Sequence, residues 1–508
     1  MDGLSNTIHI LQGDSLKAKS ARGVMKLSMG AGVERVLRLV RTMILTRILA
    51  PDQFGLMAII LVLVNGFESL SEVGIKLAVV QNKRGCDPEF LNATWWFQAV
   101  RGLGLFAVAM LAAPFVSSFY EKPHLLILLQ VALLSIVFRG FISPRAYTFQ
   151  REYKFGLIVL HIQGSAFCGT IVTIVCAFVL KNIWALVIGY VAESFCLCFL
   201  SYILAPFKLR LGIDRKCLKE LTTFARGMFG TPILTIIGPG ATVFVLGKVV
   251  TEEQLGLYSL AGQLASLPIL FFSQTIGQVL LPGFARKQDD RVSLNKAVLK
   301  VSKIVTSFTI PLVVYMMVCS SGLLFILWGP RYVEVTIPAS ILSLAMLARI
   351  QGNILSTTYI ALGRPELQRR YAALRAANTV VLIYPMTVYF GLTGAAVVSV
   401  FTNHISLLML IFWCRKVMPL KYDEYFRCYM PGLLLAFPVI IIIHLMLFLS
   451  YNSMILILIT GALVLFITYT IYFGKMFLAN NSKISSQIKR QLSITEKTDY
   501  INEETTSI

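Results

Sequence analysis

Fourteen stretches of mostly apolar residues run through this sequence. A helix needs about 20 such residues to cross the hydrocarbon core of a bilayer. Hydrophobic residues make up 56% of the chain and charged residues only 14%, whereas soluble domains are about 25% charged. The sequence therefore predicts an all-α, polytopic membrane protein with about 14 transmembrane helices. The predicted spans are residues 23–48, 54–80, 92–118, 124–147, 156–180, 183–205, 224–247, 255–284, 297–327, 336–361, 366–390, 394–413, 429–449 and 454–474.

Positive charge is distributed unevenly between the predicted loops. If the N-terminus lies in the cytoplasm, 31 of the 46 Lys and Arg residues fall in cytoplasmic segments and 4 fall in outer loops. Cytoplasmic loops of membrane proteins collect Lys and Arg. The split therefore predicts an even number of spans with both termini in the cytoplasm. The same bias explains the net charge of +21, so we expect no nucleic-acid partner.

The sequence lacks motifs for catalysis, for metal binding and for cofactor binding. None of the nine cysteines forms a CxxC pair, and only five histidines occur. There is no glycine-rich phosphate-binding loop. The predicted outer loops are too short for an extracytoplasmic catalytic domain. We therefore expect no catalytic residues, no metal and no cofactor, and a protein that is not an enzyme.

A segment of the first half of the chain recurs in the second half at a spacing of 201 residues. Residues 45–58 (LTRILAPDQFGLMA) match residues 246–259 (LGKVVTEEQLGLYS). Six spans separate the two copies, so both halves have the same orientation. Parallel repeats of this kind are typical of transporters, with the substrate site between the two lobes. The aligned pairs are Arg47 with Lys248, Gln53 with Gln254, Gly55 with Gly256 and Leu56 with Leu257.

The repeat predicts two pseudo-symmetric six-helix lobes followed by two further helices. A basic cytoplasmic linker joins the lobes, and the C-terminal tail has the polar composition of a disordered segment. The predicted segments are a cytoplasmic tail at 1–22, an N-terminal lobe at 23–205, the linker at 206–223, a C-terminal lobe at 224–413, two appended helices at 414–475 and a cytoplasmic tail at 476–508.

Seven arginines lie well inside predicted spans. Charged side chains are costly there and by default mark a functional path. At about 100° per residue, Arg35, Arg38 and Arg41 form one stripe on the first span. Arginine keeps its charge in a low-dielectric site and binds phosphate through paired hydrogen bonds. The pattern predicts a cavity for an anionic group. The candidate residues are Arg35, Arg38, Arg41, Arg101, Arg139, Arg349 and Arg375.

Three glutamates and one lysine inside the spans are candidates for ion pairing or for coupling to an ion gradient. Glu68, Glu72 and Lys76 recur at helical spacing on the second span, and Glu193 lies on the sixth. These groups either hold helices together or bind a proton or cation during transport. The sequence leaves both roles open.

Glycine and proline cluster in and around the seventh predicted span. Both residue types weaken a helix, and broken helices are tolerated where they line a cavity or bend. This span is therefore the candidate hinge. The hinge residues are Gly227, Gly230, Pro232, Gly238, Pro239 and Gly240.

Three segments near the first two spans resemble the polysaccharide-exporter branch of the multidrug/oligosaccharidyl-lipid/polysaccharide (MOP) superfamily. They are residues 46–58 (TRILAPDQFGLMA), 67–74 (FESLSEVG) and 78–81 (AVVQ). The likeness is to Wzx-type flippases, in particular the colanic-acid and exopolysaccharide exporter group. It implies a fourteen-helix, two-lobed, MATE-like fold in the bacterial inner membrane. It also implies transfer of an undecaprenyl-diphosphate-linked oligosaccharide to the periplasmic leaflet by alternating access, with the first-span arginines on the anionic headgroup.

The expected partners are that glycolipid and membrane lipids, with a polysaccharide polymerase and a chain-length regulator as further candidates. Within the same superfamily, a peptidoglycan lipid flippase and a cation-coupled multidrug exporter are alternatives. Cationic cargo calls for acidic groups, so the arginine-rich first span disfavours the multidrug exporter. A membrane glycan polymerase or ligase, and a scaffold that transports nothing, are alternatives of other classes.

Overall fold

The computed structural model describes residues 16–70, 74–212, 214–228, 231–269, 280–448 and 453–478. The described residues form helices and short connections and contain no strand, so the predicted all-α class is confirmed. Most of the two predicted tails lies outside this part of the chain, as do Glu72 and Gly230. The helices of the first half are α1 (Leu16–Ile48), α2 (Pro51–Leu70), α3 (Ile75–Gln81), α4 (Pro88–Tyr120), α5 (Pro123–Gly140), α6 (Arg145–Arg151), α7 (Phe155–Leu180), α8 (Trp184–Leu204) and α9 (Arg215–Met228).

The second half of the chain repeats this alternation of long helices and short connections. Its described helices are α10 (Thr231–Val249), α11 (Glu252–Ala265), α12 (Leu281–Ala285), α13 (Arg291–Val318), α14 (Ser320–Leu327), α15 (Thr336–Ala361), α16 (Pro365–Arg415), α17 (Tyr422–Arg427), α18 (Met430–Phe448) and α19 (Met454–Leu478).

Ten helical segments of the described chain are long and apolar enough to cross a membrane. The protein is therefore a multi-pass membrane protein. The first helix, α1, is not among the ten, and it carries the arginine stripe. Described helices overlap each of the predicted spans, and the count of 14 stays a prediction.

Short polar and proline-containing segments set the helix ends. Proline is the first residue of α2, α4, α5 and α16, a position where its missing N–H costs nothing. The side chain of Thr251 accepts a hydrogen bond from the backbone N–H of Gln254, and the side chain of Gln254 accepts one from the backbone N–H of Thr251. This capping box satisfies two donors at the start of α11. The helix boundaries near the repeat thus follow from local sequence.

Two elements differ from the simple succession of spans. The predicted spans at 366–390 and 394–413 run together as α16, which breaks only at Gly391 with φ +56° and ψ −139°. A residue with a side chain adopts such a conformation with difficulty. The amphipathic helix α9 lies across the predicted linker boundary at residue 223. Its buried Cys217 and Leu221 pack in one cluster with Ala78, Val79, Phe90 and Leu91.

The helices pack into two lobes, with α1–α8 in the N-lobe and α10–α16 in the C-lobe. Helices α18 and α19 pack against α13 and α14 through a cluster that includes Cys319, Val439, Ile443 and Leu458. We call the end of the bundle at residues 48–51, 120–123 and 249–252 the hairpin end. The opposite end, at residues 205–212, is the linker end.

The hydrophobic cores show where the lobes meet. The largest cluster, towards the hairpin end, combines N-lobe residues such as Ile59 and Leu129 with C-lobe residues such as Leu257 and Ile383. Towards the linker end the buried clusters are separate, one in the C-lobe and two smaller ones around the N-lobe. Among the residues that the structure describes, the lobes therefore share a core only towards the hairpin end.

The repeated segment places a glycine of each lobe at the crossing of α2 and α11. A Cβ added to Gly55 would lie 2.0 Å from the carbonyl oxygen of Glu252, and one added to Gly256 would lie 1.8 Å from that of Pro51. Apolar lipid gives little hydrophobic drive for helices to associate, so small residues promote association by letting backbones approach closely. The aligned glycines are thus the contact between the two halves of the repeat.

Candidate functional site

Two adjoining cavities lie where the lobes meet, separated by α2 and α11. The N-lobe cavity has a volume of about 430 Å³ and the C-lobe cavity one of about 370 Å³. Both are lined by Ala58, Leu61 and Ser259, so they share a wall. Each volume is within the range of small-molecule sites.

The N-lobe cavity contains two arginines of the predicted stripe, each within reach of a glutamate. The Arg38 guanidinium donates from Nη2 to Glu193 Oε1 at 2.6 Å and from Nε to Glu34 Oε1 at 2.9 Å. The Arg41 Nη1 atom lies 3.9 Å from Glu193 Oε2. Helix α8 therefore supplies a counter-charge to the stripe on α1. Arg35 is half-buried on α1 and does not line either cavity.

Arg139 on α5 lines the same cavity and forms a second ion pair beside it. Arg139 Nη1 donates to Glu68 Oε2 at 2.7 Å, and its guanidinium lies 5.5 Å from the ring centroid of Tyr190. The tyrosine was not among the predicted site residues. Its hydroxyl-bearing ring within an apolar span was the signal that could have identified it.

The C-lobe cavity is lined by Arg349 on α15 and Arg375 on α16. In the described part of the chain, no carboxylate lies within ion-pair distance of either guanidinium. The Arg375 guanidinium lies 5.8 Å from the ring centroid of Tyr371. Polar side chains that sequence reasoning missed complete this wall, namely Thr242, Tyr258, Thr379, Ser399, Thr402 and Asn403.

Arg101 and Lys76 line neither of the two cavities. Arg101 is half-buried on α4. The charged row expected on one helix is interrupted, because α2 ends at Leu70 and α3 begins at Ile75. Gly74 between them has a left-handed φ of +62°. Lys76 is consequently exposed on α3 instead of continuing the helix that carries Glu68.

The predicted hinge falls on two helices. Gly227 is near the end of α9, and α10 begins at Thr231. Pro232 lies in the first turn of α10, which continues through Gly238, Pro239 and Gly240 without interruption. A Cβ added to Gly238 would lie 4.0 Å from Arg375 Nε. The absence of a side chain at this position of α10 therefore leaves room for the arginine.

Polar contacts between the lobes close the hairpin end. Lys248 Nζ of the C-lobe lies 2.7 Å from Glu121 Oε1 of the N-lobe, and Lys122 Nζ lies 3.1 Å from Glu252 Oε1. Arg47, the repeat counterpart of Lys248, donates to the carbonyl of Ile326 at 3.0 Å. In each copy of the repeat, a positively charged side chain thus contacts the other lobe.

Among the described residues, the polar contacts between lobes are confined to this end and to the level of the cavities. The contact at cavity level is a hydrogen bond from Gln263 to Thr42 at 3.4 Å. The structure is therefore closed at the hairpin end.

Reversing one charge of a hairpin-end pair should weaken this closure. We expect Glu121→Lys to increase modification of a cysteine placed at buried Leu45 by about twofold to fivefold, since an exposed pair contributes little by itself. Adding Lys248→Glu should restore the wild-type level. The measurement uses a membrane-impermeant thiol reagent applied from the hairpin end, in a protein whose nine native cysteines are replaced.

The same pair predicts a pH dependence. The hydrogen bond from Lys248 lowers the pKa of Glu121 below its ordinary value of 4.5. The pair therefore contributes to closure at every pH above that value and is lost as the pH falls through the lowered pKa.

Glu89→Lys is the matched control for the labelling experiment, because Glu89 pairs with Arg84 within the N-lobe. Equal labelling in Glu121→Lys and Glu89→Lys would contradict the role of the pair.

Comparison with known proteins decides the family. A family model with the description "Polysaccharide biosynthesis protein" matches residues 44–337, which is more than half of the chain. The chain belongs to the polysaccharide biosynthesis protein family. The match begins just before the first copy of the repeat and ends at the start of α15.

Relatives and solved structures extend the likeness along most of the chain. The "Lipopolysaccharide biosynthesis protein WzxC" of Escherichia coli (strain K12) is 22% identical over 84% of this chain and 87% of its own. A structure titled "Lipid II flippase MurJ, inward closed conformation" superposes with a TM-score of 0.72 at 16% identity, over 89% of this chain and 99% of that one.

A MATE transporter has the same architecture. An inward-facing structure of a multidrug resistance MATE family transporter of the MOP superfamily gives a TM-score of 0.62 at 14% identity, over 78% of this chain and 97% of that one. The predicted resemblance to Wzx-type proteins and the MOP-like fold are confirmed.

Proposed function

We propose that this protein is a flippase, and not an enzyme, that moves an undecaprenyl-diphosphate-linked oligosaccharide repeat unit across the bacterial inner membrane for exopolysaccharide, capsule or O-antigen synthesis. One observation carries the proposal. Five arginines and one glutamate line the two adjoining cavities where the lobes meet. Such a surface suits an anionic headgroup and repels a cationic drug. Family membership and the Wzx- and MurJ-like fold support a polysaccharide precursor as the cargo.

The mechanism is alternating access between the two lobes. The uneven loop charge supports a periplasmic hairpin end and cytoplasmic termini, so the closed hairpin end described above corresponds to an inward-facing state. The glycolipid headgroup enters the cavities from the cytoplasmic side while its isoprenoid tail stays in lipid. Opening of the hairpin end then releases the headgroup to the periplasm.

The candidate residues take three roles in this mechanism. Arginines of the cavities and of the neighbouring spans attract the diphosphate, the acidic groups couple to an ion or hold the helices, and the glycine- and proline-rich helix bends. The substrate-attracting residues are Arg35, Arg38, Arg41, Arg101, Arg139, Arg349 and Arg375. The coupling or ion-pair residues are Glu68, Glu72, Lys76 and Glu193. The hinge residues are Gly227, Gly230, Pro232, Gly238, Pro239 and Gly240.

The proposal predicts where the glycolipid accumulates when the protein is missing. In a strain lacking the gene, and lacking any second flippase, we expect the lipid-linked oligosaccharide to stay on the cytoplasmic face of the inner membrane. A membrane-impermeant lectin added to spheroplasts measures the periplasmic fraction. Expression of the intact chain should restore that fraction.

Three results would contradict the proposal. If the glycolipid reaches the periplasmic face without the protein, the protein is not the flippase. If export is unchanged and only the length or attachment of the polymer differs, a polymerase or ligase is the better assignment. Accumulation of cytoplasmic peptidoglycan precursor instead would indicate the peptidoglycan lipid flippase.

A further inference from the structure

Charge is divided unequally between the two cavities. Around the N-lobe cavity, three arginines are matched by three glutamates, namely Arg38, Arg41 and Arg139 with Glu34, Glu68 and Glu193. This group is formally neutral. Arginine N–H donors of this group already form hydrogen bonds to carboxylates. A phosphate would have to displace those bonds, so its binding here would gain less free energy.

The C-lobe cavity has the opposite balance. Arg349 and Arg375 line it, no acidic residue does, and no described carboxylate pairs with either arginine. The helix α10 that faces them carries Ile236, Pro239 and Thr242 at the positions that correspond to the arginine stripe of α1. The repeat is therefore preserved in fold but not in charge.

Uncharged polar groups in this wall also lack partners. The Ser259 hydroxyl, the Thr402 hydroxyl and the Asn403 side-chain oxygen are buried and make no hydrogen bond to another described residue. Buried polar atoms are nearly always bonded, so unbonded ones that line a cavity are suited to a ligand. Each of the two hydroxyls can donate a hydrogen bond to a phosphate oxygen.

The Tyr371 ring helps to position one guanidinium. The Arg375 guanidinium lies 5.8 Å from the centroid of that ring, at a distance typical of a cation–π contact. Such a contact uses the face of the guanidinium and leaves its N–H donors in the plane available. No hydrogen bond to another described residue occupies those donors.

Two like charges without a counter-ion are costly in a low-dielectric site, and an anion that bridges them removes much of the cost. A diphosphate carries at least two negative charges and offers oxygens to two guanidinium forks. We propose that the C-lobe cavity is the diphosphate subsite, with Arg349 and Arg375 as its ligands. The charge-balanced N-lobe cavity then takes the uncharged sugars. This inference rests on the proposed flippase function and reassigns the headgroup from α1 to α15 and α16.

The test is binding of farnesyl diphosphate to the purified full chain in lipid nanodiscs. We expect the wild type to bind it far more tightly than farnesol. Arg349→Gln and Arg375→Gln should each raise the Kd by about tenfold or more, the effect of losing one charge-assisted fork. Arg38→Gln should raise the Kd by less than either C-lobe variant does. Arg415→Gln is the matched control, because Arg415 is exposed outside both cavities, and it should leave the Kd unchanged.

Several results would overturn the proposal. One is loss of binding in Arg38→Gln with normal binding in the C-lobe variants, which would place the diphosphate in the N-lobe cavity. Another is equal affinity of the wild type for farnesyl diphosphate and farnesol. If a glutamine variant does not fold, Arg349→Lys and Arg375→Lys replace it. They keep the charge but lose the fork, so affinity equal to wild type in both folded lysine variants would also overturn the subsite.

Failure of this inference differs from failure of the proposed function. The glycolipid assay in the deletion strain depends on the whole protein and not on which cavity holds the diphosphate. One outcome is that export requires the protein while diphosphate affinity is unchanged in the Arg349 and Arg375 variants. That result would support the flippase function and reject the C-lobe subsite.

Discussion

Replacement of Gly55 or Gly256 by alanine is expected to reduce polysaccharide export by at least about tenfold. A methyl group at either position would overlap a backbone carbonyl of the other lobe, at 2.0 Å and 1.8 Å respectively. Overpacking of this kind costs about 1–3 kcal/mol or more, and a backbone atom cannot turn away as a side chain can. The gain of up to about 1 kcal/mol from alanine in a helix does not offset this. The lobes should therefore close incompletely at the hairpin end.

Export is measured as surface polysaccharide in a deletion strain that expresses each variant at equal protein level. Gly66→Ala on α2 is the matched control, because a Cβ at that position meets nothing within 4 Å. This control should export normally. Wild-type export by Gly55→Ala would show that close approach of α2 and α11 is not required.

Replacement of Glu193 by glutamine is expected to destabilise the protein by about 1–3 kcal/mol. The change removes the carboxylate 2.6 Å from Arg38 and 3.9 Å from Arg41. Breaking a fully buried pair costs about 3–5 kcal/mol. The exposed fractions of 36% for Arg38 and 18% for Glu193 reduce that figure, since cavity water solvates part of the charge.

Thermal unfolding of the purified protein in one detergent measures the effect as a lower transition temperature. The double variant Arg38→Gln/Glu193→Gln should recover part of the loss, because it leaves fewer unmatched charges. Glu89→Gln breaks an exposed pair with Arg84 and should change stability by less than about 0.5 kcal/mol. If Glu193→Gln unfolds like the wild type, or the double variant is no better than the single one, the pair does not hold α1 to α8.

Hydropathy and the repeat were sufficient to predict an all-α, multi-pass membrane protein, and the resemblance of the first two spans to Wzx-type proteins implied the MOP-like architecture. These properties are encoded locally. A span is apolar because each of its residues must face lipid or protein, and a repeat such as residues 45–58 and 246–259 is visible without any knowledge of contacts. The sequence also identified the arginines, because a charge in an apolar stretch stands out.

The pairing of those charges was beyond the reach of local pattern. Arg38 and Glu193 are 155 residues apart, and they meet because α1 and α8 both pack against α7. Among the described residues, the packing of the C-lobe brings no carboxylate to Arg349 or Arg375, although all seven arginines look alike in the sequence. Whether an intramembrane arginine is matched or open to a ligand depends on which helix faces it. Helix packing, a property of the whole bundle, decides that in this protein.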